Sequence, residues 1–251
     1  MSILQEIKVE KIIEVASYPK CGNTWLRYIL AGIFDIDIHK GIPDIHQQGE
    51  KTRDLIQIIK LRSEFGFYKS HILDHPSMNP DYIICIYRHP LDVFFSSLNY
   101  FKITGSREQF INGILKNVEE IYRDGELSIY LDEFNESLGS SYYNKMLGAM
   151  SNYKLYIEAA FDNLKVITVR YEDLIDAPYE TIMTLLSSVF PNVKIEFDNS
   201  LFSDVDLKTK KSGDPFFWKA KKETYKDYLT EKEIYKFEQK WSSLLGKMKY
   251  L

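Results

Sequence analysis

Tyr18-Pro19-Lys20-Cys21-Gly22-Asn23-Thr24-Trp25 joins two segments of different period. Before it, Ile12-Ile13-Glu14-Val15-Ala16 is a short apolar run that reads as a buried strand. After it, Leu26, Ile29, Leu30, Ile33 and Phe34 fall on one face of a helix. Strand, tight loop and helix form a cradle for phosphate, because unpaired N–H groups at the helix start and the helix dipole both favour an anion. Lys20 adds a full positive charge at the rim. The nucleoside-triphosphate loop, however, needs Gly, four residues, then Gly-Lys-Ser/Thr. Here Lys20 precedes the loop's only glycine and the loop is shorter, so the anion is held by a related but different device.

Outward from this loop, apolar runs read as strands at Lys11–Ser17, Phe65–Lys69, Tyr82–Tyr87 and Leu164–Arg170. Helical patterns alternate with them at Gly22–Asp35, Arg53–Glu64, Pro90–Phe101, Arg107–Tyr122, Tyr142–Ala160, Pro178–Phe190 and Thr230–Leu245. Pro90 and Pro178 suit a first helical position, and Thr230 with Glu233 has the spacing of a capping box. Strands alternating with helices predict an α/β fold with a central parallel sheet covered on both faces, in one domain over residues 1–251. Ligands of such sheets sit beyond the carboxyl ends of the strands. Those ends carry Lys20, then Lys69-Ser70-His71, then Arg88-His89-Pro90, then Arg170-Tyr171-Glu172-Asp173-Leu174. Basic and aromatic groups gathered on one edge make a pocket for a polyanion bearing a ring.

Composition narrows the partners. A formal charge of −4 over 251 residues argues against a general nucleic-acid or membrane-surface binder. No stretch has the length of an uncharged transmembrane segment, and Met1–Glu14 mixes charged with apolar residues, unlike a signal peptide. The two cysteines, Cys21 and Cys85, form no disulfide framework, so a cytoplasmic setting is expected. No Cys/His cluster has metal-ligand spacing.

In order, these segments resemble the motifs of the sulfotransferases that use 3′-phosphoadenosine 5′-phosphosulfate (PAPS), the cytosolic-type superfamily, with a P-loop-like fold. The first loop is similar to that family's 5′-phosphosulfate loop, Tyr-Pro-Lys-Ser-Gly-Thr-Thr-Trp, with Cys21 and Asn23 in place of Ser and Thr. Lys69-Ser70-His71 resembles the Lys-Thr-His segment that carries the family's catalytic histidine. Arg88-His89-Pro90-Leu91-Asp92-Val93 with Ser96 resembles the 3′-phosphate signature, and Tyr171-Glu172-Asp173-Leu174 the segment after the fourth strand. The last motif, Arg-Lys-Gly followed by a tryptophan, is degraded. Counting back from Trp218 gives Lys211-Ser212-Gly213, while a slip of one residue makes Lys210 and Lys211 the basic pair.

The resemblance implies a metal-free enzyme that moves a sulfuryl group from PAPS to an acceptor hydroxyl by in-line displacement, releasing adenosine 3′,5′-bisphosphate (PAP). Of five histidines, only His71 sits just past a predicted strand beside a lysine, and it is the expected general base. Lys20 is expected at the leaving oxygen, with Lys69 a second cation for the sulfuryl oxygens. Cys21, Gly22, Asn23 and Thr24 line the 5′-phosphate loop. Trp25 either stacks on adenine or packs in the core, and the loop context favours stacking. Arg88 and Ser96, with Ser97 the neighbouring alternative, bind the 3′-phosphate, and Tyr171 meets the adenine. Lys208, Lys210, Lys211, Lys219, Lys221 and Lys222 are either a solvated face or a phosphate-binding lid. His39, His46 and His75 read as surface residues and His89 as incidental.

The acceptor is expected to be set by His39–Glu64, Asp74–Pro80 and Thr104–Ser141, which have no dominant character; a glycan, a lipid-linked sugar and a small natural-product alcohol all stay open, with a small-molecule or glycoconjugate hydroxyl preferred. Two rival readings share the strand-loop-helix start. A kinase-like phosphotransferase requires the Lys-Ser/Thr magnesium pair that the first loop lacks, and a non-catalytic relative would not need both Lys20 and His71. Oligomeric state leaves no signal in this sequence.

Overall fold

The computed structural model describes residues 11–45, 59–60, 64–103, 116–139, 151–211, 219 and 221–251. Its strands are Lys11–Ala16 (β1), Ile59–Lys60 (β2), Glu64–Ser70 (β3), Tyr82–Tyr87 (β4) and Val166–Arg170 (β5). They form one sheet in the order β2-β3-β1-β4-β5. The four longer strands are parallel, with Ala16 opposite Ser70 and Cys85, and Tyr87 opposite Arg170. The fold is therefore α/β, as the sequence predicts. After β1 the chain adds β3 on one side and then returns to add β4 on the other. That reversal opens a crevice at the carboxyl end of β1, where ligands of doubly wound sheets bind.

Period-2 alternation in the strands divides the core. Ile13 and Val15 of β1, Phe65 and Phe67 of β3, and Ile84 and Ile86 of β4 face one cluster. That side is covered by Asn23–Ile33 (α1), Tyr171–Asp176 (α7), Pro178–Val189 (α8) and Ser200–Lys211 (α9). Cys85 and Tyr87 face the other cluster. Its cover comprises Pro90–Ile103 (α3), Val118–Arg123 (α4), Leu127–Ser137 (α5), Tyr153–Asp162 (α6), Glu231–Lys240 (α10) and Ser242–Lys247 (α11). A short helix, Ile38–Gly41 (α2), follows α1. In α1 the apolar residues Leu26, Ile29 and Leu30 are wholly buried, each such side chain contributing about 1.5–3 kcal/mol.

Glu14 interrupts the apolar pattern of β1. It is fully buried, and its Oε2 accepts hydrogen bonds from the Tyr68 hydroxyl and the His75 N–H at 2.8 and 3.0 Å. Its Oε1 has no partner among the described residues. Burial pushes its carboxyl up to about 7, against those two hydrogen bonds. His75, expected on the surface, is thus a core residue at 4% exposure, and burial lowers its imidazole.

Several expected helices change. Within Arg53–Glu64, the described residues Ile59, Lys60 and Glu64 are strand, because Ile59 and Lys60 pair antiparallel with Phe65 and Glu64 at the sheet edge. The rest of that segment lies outside the described residues. The described part of Arg107–Tyr122 becomes helical only at Val118, where Asn117 and Glu120 form a capping box. That of Tyr142–Ala160 starts at Tyr153, capped by Asn152. The helix expected over Thr230–Leu245 breaks at Trp241, while its Thr230–Glu233 capping box is present. Helices α2, α5, α7 and α9 and a 3₁₀ turn at Thr224–Asp227 were not expected.

Candidate functional site

The loop after β1 turns on two left-handed residues, Lys20 at φ 69° and Gly22 at φ 98°. Only glycine takes the second position without strain, and a Cβ there would lie 2.5 Å from the Tyr171 ring. Gly22 caps α1 with no side-chain hydrogen bond to the helix start. The first intrahelical bond runs from the Leu26 N–H to the Gly22 carbonyl. This leaves the N–H groups of the first turn facing the crevice end of an eleven-residue helix.

Within the loop the side chains divide by task. Cys21 is buried with its Sγ 4.0 Å from the Pro19 carbonyl, and burial pushes its thiol up to about 12. Asn23 donates to the Val15 carbonyl at 3.1 Å, pinning the helix start to β1. Both side chains therefore face the core. Thr24 is exposed in the first turn of α1. The Lys20 ammonium lies 4.6 Å from the centre of the Tyr100 ring.

His71 follows β3 and reaches this loop. Its Nδ1 lies 2.8 Å from the Ser17 carbonyl, which can only accept, so Nδ1 carries the proton. In the neutral ring Nε2 then holds the lone pair. Ser70 sets the turn by accepting the Ile72 N–H on its Oγ at 2.8 Å. Lys69, expected as a second cation, points elsewhere in its bonding. Its Nζ donates to both carboxylate oxygens of Asp44 at 2.9 and 2.8 Å. Burial lowers the Lys69 ammonium and the Asp44 charge opposes that shift.

Arg88, at the end of β4, is 7% exposed, and its guanidinium lies 4.3 Å from the centre of the Tyr171 ring. Its Nη2 donates to the Lys221 carbonyl at 2.6 Å and stands 3.4 Å from Asp92 Oδ2, while its buried Nε has no partner among the described residues. An orphaned guanidinium N–H in a built socket fits a phosphate oxygen. Asp92, Ser96 and Tyr100 follow Arg88 at intervals of four, so they share one face of α3 leading from Arg88 towards Lys20. Ser96 and Ser97 are both buried.

Tyr171 sits between the halves of the site. Its ring meets Trp25 edge-on at 5.9 Å, abuts Gly22 and lies against Arg88. Trp25 itself is partly buried against the cluster on the α1 side. Glu172 accepts the His89 N–H at 3.0 Å and the Tyr250 hydroxyl at 2.6 Å, and Asp173 pairs with Arg170. His89 is stacked on Tyr225, and burial lowers its imidazole to about 3.

Among the basic run, Lys219 pairs with Glu119 and Asp227, Lys221 with Asp227, and Lys222 with Asp176. Lys208 is exposed. Lys210 and Lys211 end α9, and their side chains, with Ser212 and Gly213, lie outside the described residues. Sequence reasoning gave no role to Asp92, Tyr100, Tyr153 or the Ser17 carbonyl. The four-residue spacing from Arg88 marks Asp92 and Tyr100. Tyr153, whose hydroxyl donates to the Arg88 carbonyl, comes from α6 and leaves no local signal.

Comparisons with known proteins agree with this architecture. The family model of the sulfotransferase domain matches residues 11–249. The chain belongs to the sulfotransferase family, and its general activity is sulfuryl transfer. Mouse sulfotransferase SULT7A1, complexed with PAP, superimposes with a TM-score of 0.58 at 15% identity, covering 95% of this chain and 84% of that one. Retinol dehydratase in complex with androsterone and inactive cofactor PAP gives a TM-score of 0.55 at 14% identity, covering 93% and 80%. At these identities the likeness concerns the fold. No curated protein matches the chain. Among the described residues no helix is long and apolar enough to cross a membrane.

Proposed function

We propose that this chain transfers the sulfuryl group of PAPS to a hydroxyl of a small molecule or glycoconjugate, with His71 as general base. The observation that carries this reading is the hydrogen bond from His71 Nδ1 to the Ser17 carbonyl. It ties the imidazole to the start of the loop that leads into α1 and gives it the tautomer a base requires. The bound donor would supply an activated sulfuryl group and depart as PAP.

In this reading the first-turn N–H groups of α1, with Gly22 and Thr24, hold the 5′-phosphate. Arg88 and Ser96 hold the 3′-phosphate, and Trp25 and Tyr171 flank the base. His71 Nε2 takes the acceptor proton as the acceptor oxygen bonds to sulfur and the sulfur–phosphate oxygen bond breaks. Lys20 neutralises charge gathering on the departing oxygen. General base catalysis of this kind contributes about 10²–10⁴-fold, and positioning and charge stabilisation supply the rest, by analogy with phosphoryl transfer. Lys69, held by Asp44, is assigned no catalytic task.

The androsterone bound in the retinol dehydratase structure supports a small-molecule acceptor. Two free, buried cysteines support a cytoplasmic setting. The test is incubation with PAPS carrying labelled sulfate and a panel of phenols, sterols, alcohols and glycans, in chelator. Label transferred to an acceptor with matching PAP release supports the assignment, and binding without transfer to any of them refutes it.

A further inference from the structure

We propose that Asp92 is a positioning residue that couples docking of the segment 221–225 to recognition of the donor's 3′-phosphate by Arg88, an inference that rests on the reading above. Asp92 is 1% exposed. Its Oδ2 accepts the Glu223 N–H at 2.8 Å, and its Oδ1 accepts the Tyr225 N–H at 3.3 Å. The same Oδ2 stands 3.4 Å from Arg88 Nη2. That nitrogen in turn donates to the Lys221 carbonyl at 2.6 Å. One carboxylate therefore holds both the arginine and the start of the 3₁₀ turn Thr224–Asp227.

The backbone shows how tightly this junction is determined. Glu223 is a non-glycine residue at φ 57°, a conformation that persists only when its surroundings enforce it. The Glu223 and Tyr225 N–H groups donating to Asp92, and Arg88 donating to the Lys221 carbonyl, supply that enforcement. Arg88 is thereby fixed on one side by Asp92 and the Lys221 carbonyl, and across its face by Tyr171. Its Nε is left buried without a partner among the described residues.

A negative charge beside a phosphate site is electrostatically unfavourable. If Asp92 acted on the phosphate through its charge alone, neutralising it would tighten PAP binding. The opposite outcome requires that Asp92 act by orienting Arg88 and seating 221–225. Losing a hydrogen-bonded partner of a charged group corresponds to about tenfold in affinity or more.

The test compares PAP with adenosine 5′-phosphate by calorimetry on the wild-type chain, Asp92→Asn and Asp92→Glu, with hydrogen exchange at the Glu223 and Tyr225 amides. Asp92→Asn is expected to lose about tenfold for PAP and less than about twofold for adenosine 5′-phosphate. PAP is expected to slow exchange at both amides in the wild type and not in the variant. Should Asp92→Asn fold poorly, Asp92→Glu keeps the charge but displaces it, and is read by the same ratio. Parallel losses for both nucleotides, tighter PAP binding in the variant, or exchange at 223 and 225 indifferent to PAP would overturn the coupling. If the wild type itself fails to prefer PAP, the 3′-phosphate reading of Arg88 falls, and this inference with it.

Discussion

His71 Nδ1 and the carbonyl oxygen of Ser17 are 2.8 Å apart although 54 residues separate them in the chain. The bond makes the imidazole and the Lys20 loop one unit at the crevice beside β1. It also assigns the proton, because a carbonyl cannot donate. That tautomer leaves on Nε2 the lone pair that the proposed base role requires.

Replacing His71 by Ala should lower kcat by about 10²–10⁴-fold and leave the Kd for PAP within about twofold. Single-turnover transfer and calorimetry on the same preparation separate the two quantities. Activity near that of the wild type would remove His71 from the base role.

Arg88→Lys should weaken PAP by more than tenfold, on the order expected for losing a planar fork at a phosphate, while adenosine 5′-phosphate changes little. The readout is the ratio of the two dissociation constants. An unchanged ratio would place the 3′-phosphate elsewhere.

Gly22→Ala combines a left-handed backbone with a Cβ 2.5 Å from the Tyr171 ring. A stability loss on the order of 1–2 kcal/mol is expected, visible as a fall in Tm of several degrees. Nucleotide affinity should fall too, since Tyr171 lies against both Trp25 and Arg88. A variant with unaltered Tm and affinity would mean the loop relaxes freely around residue 22.

Much of this was legible in the sequence, for identifiable reasons. The parallel strands are short, largely apolar runs, and three of the expected four have both their first and last residues within one of the observed ones. Leu164–Arg170 begins two residues early because Leu164 and Lys165 precede the pairing with β4. Residues at the strand ends were legible as a group because a parallel sheet delivers them to one edge. Other features depend on tertiary partners. Lys69 reads as a free cation until Asp44, from a different part of the chain, is seen to hold it. His75 looks like a surface residue until its N–H is found on the buried Glu14 carboxylate. Helix α5 lies in a stretch read as an acceptor loop, although its buried Leu127, Tyr130 and Phe134 keep the i, i+3, i+7 spacing of a helix.

Glu14 gives a stability prediction with a definite sign. Its folded carboxyl titrates near 7, above its ordinary value of 4.5, because burial outweighs the bonds from His75 and Tyr68. Between those values the native state keeps a proton that the unfolded chain has lost. Stability should therefore fall as pH rises from about 5 to 8, by up to roughly 3 kcal/mol. Glu14→Gln should flatten that slope in urea unfolding series. A wild-type slope of the opposite sign, or one equal in the variant, would contradict the assignment.

The central claim is a crevice for a doubly phosphorylated adenosine that works without metal, and calorimetric titration of PAP in chelator tests it most directly. Saturable binding at micromolar concentration, at least about tenfold tighter than adenosine 5′-phosphate and indifferent to added ATP–magnesium, is the predicted result. No heat up to millimolar PAP, or displacement by ATP–magnesium at equal concentration, would contradict it.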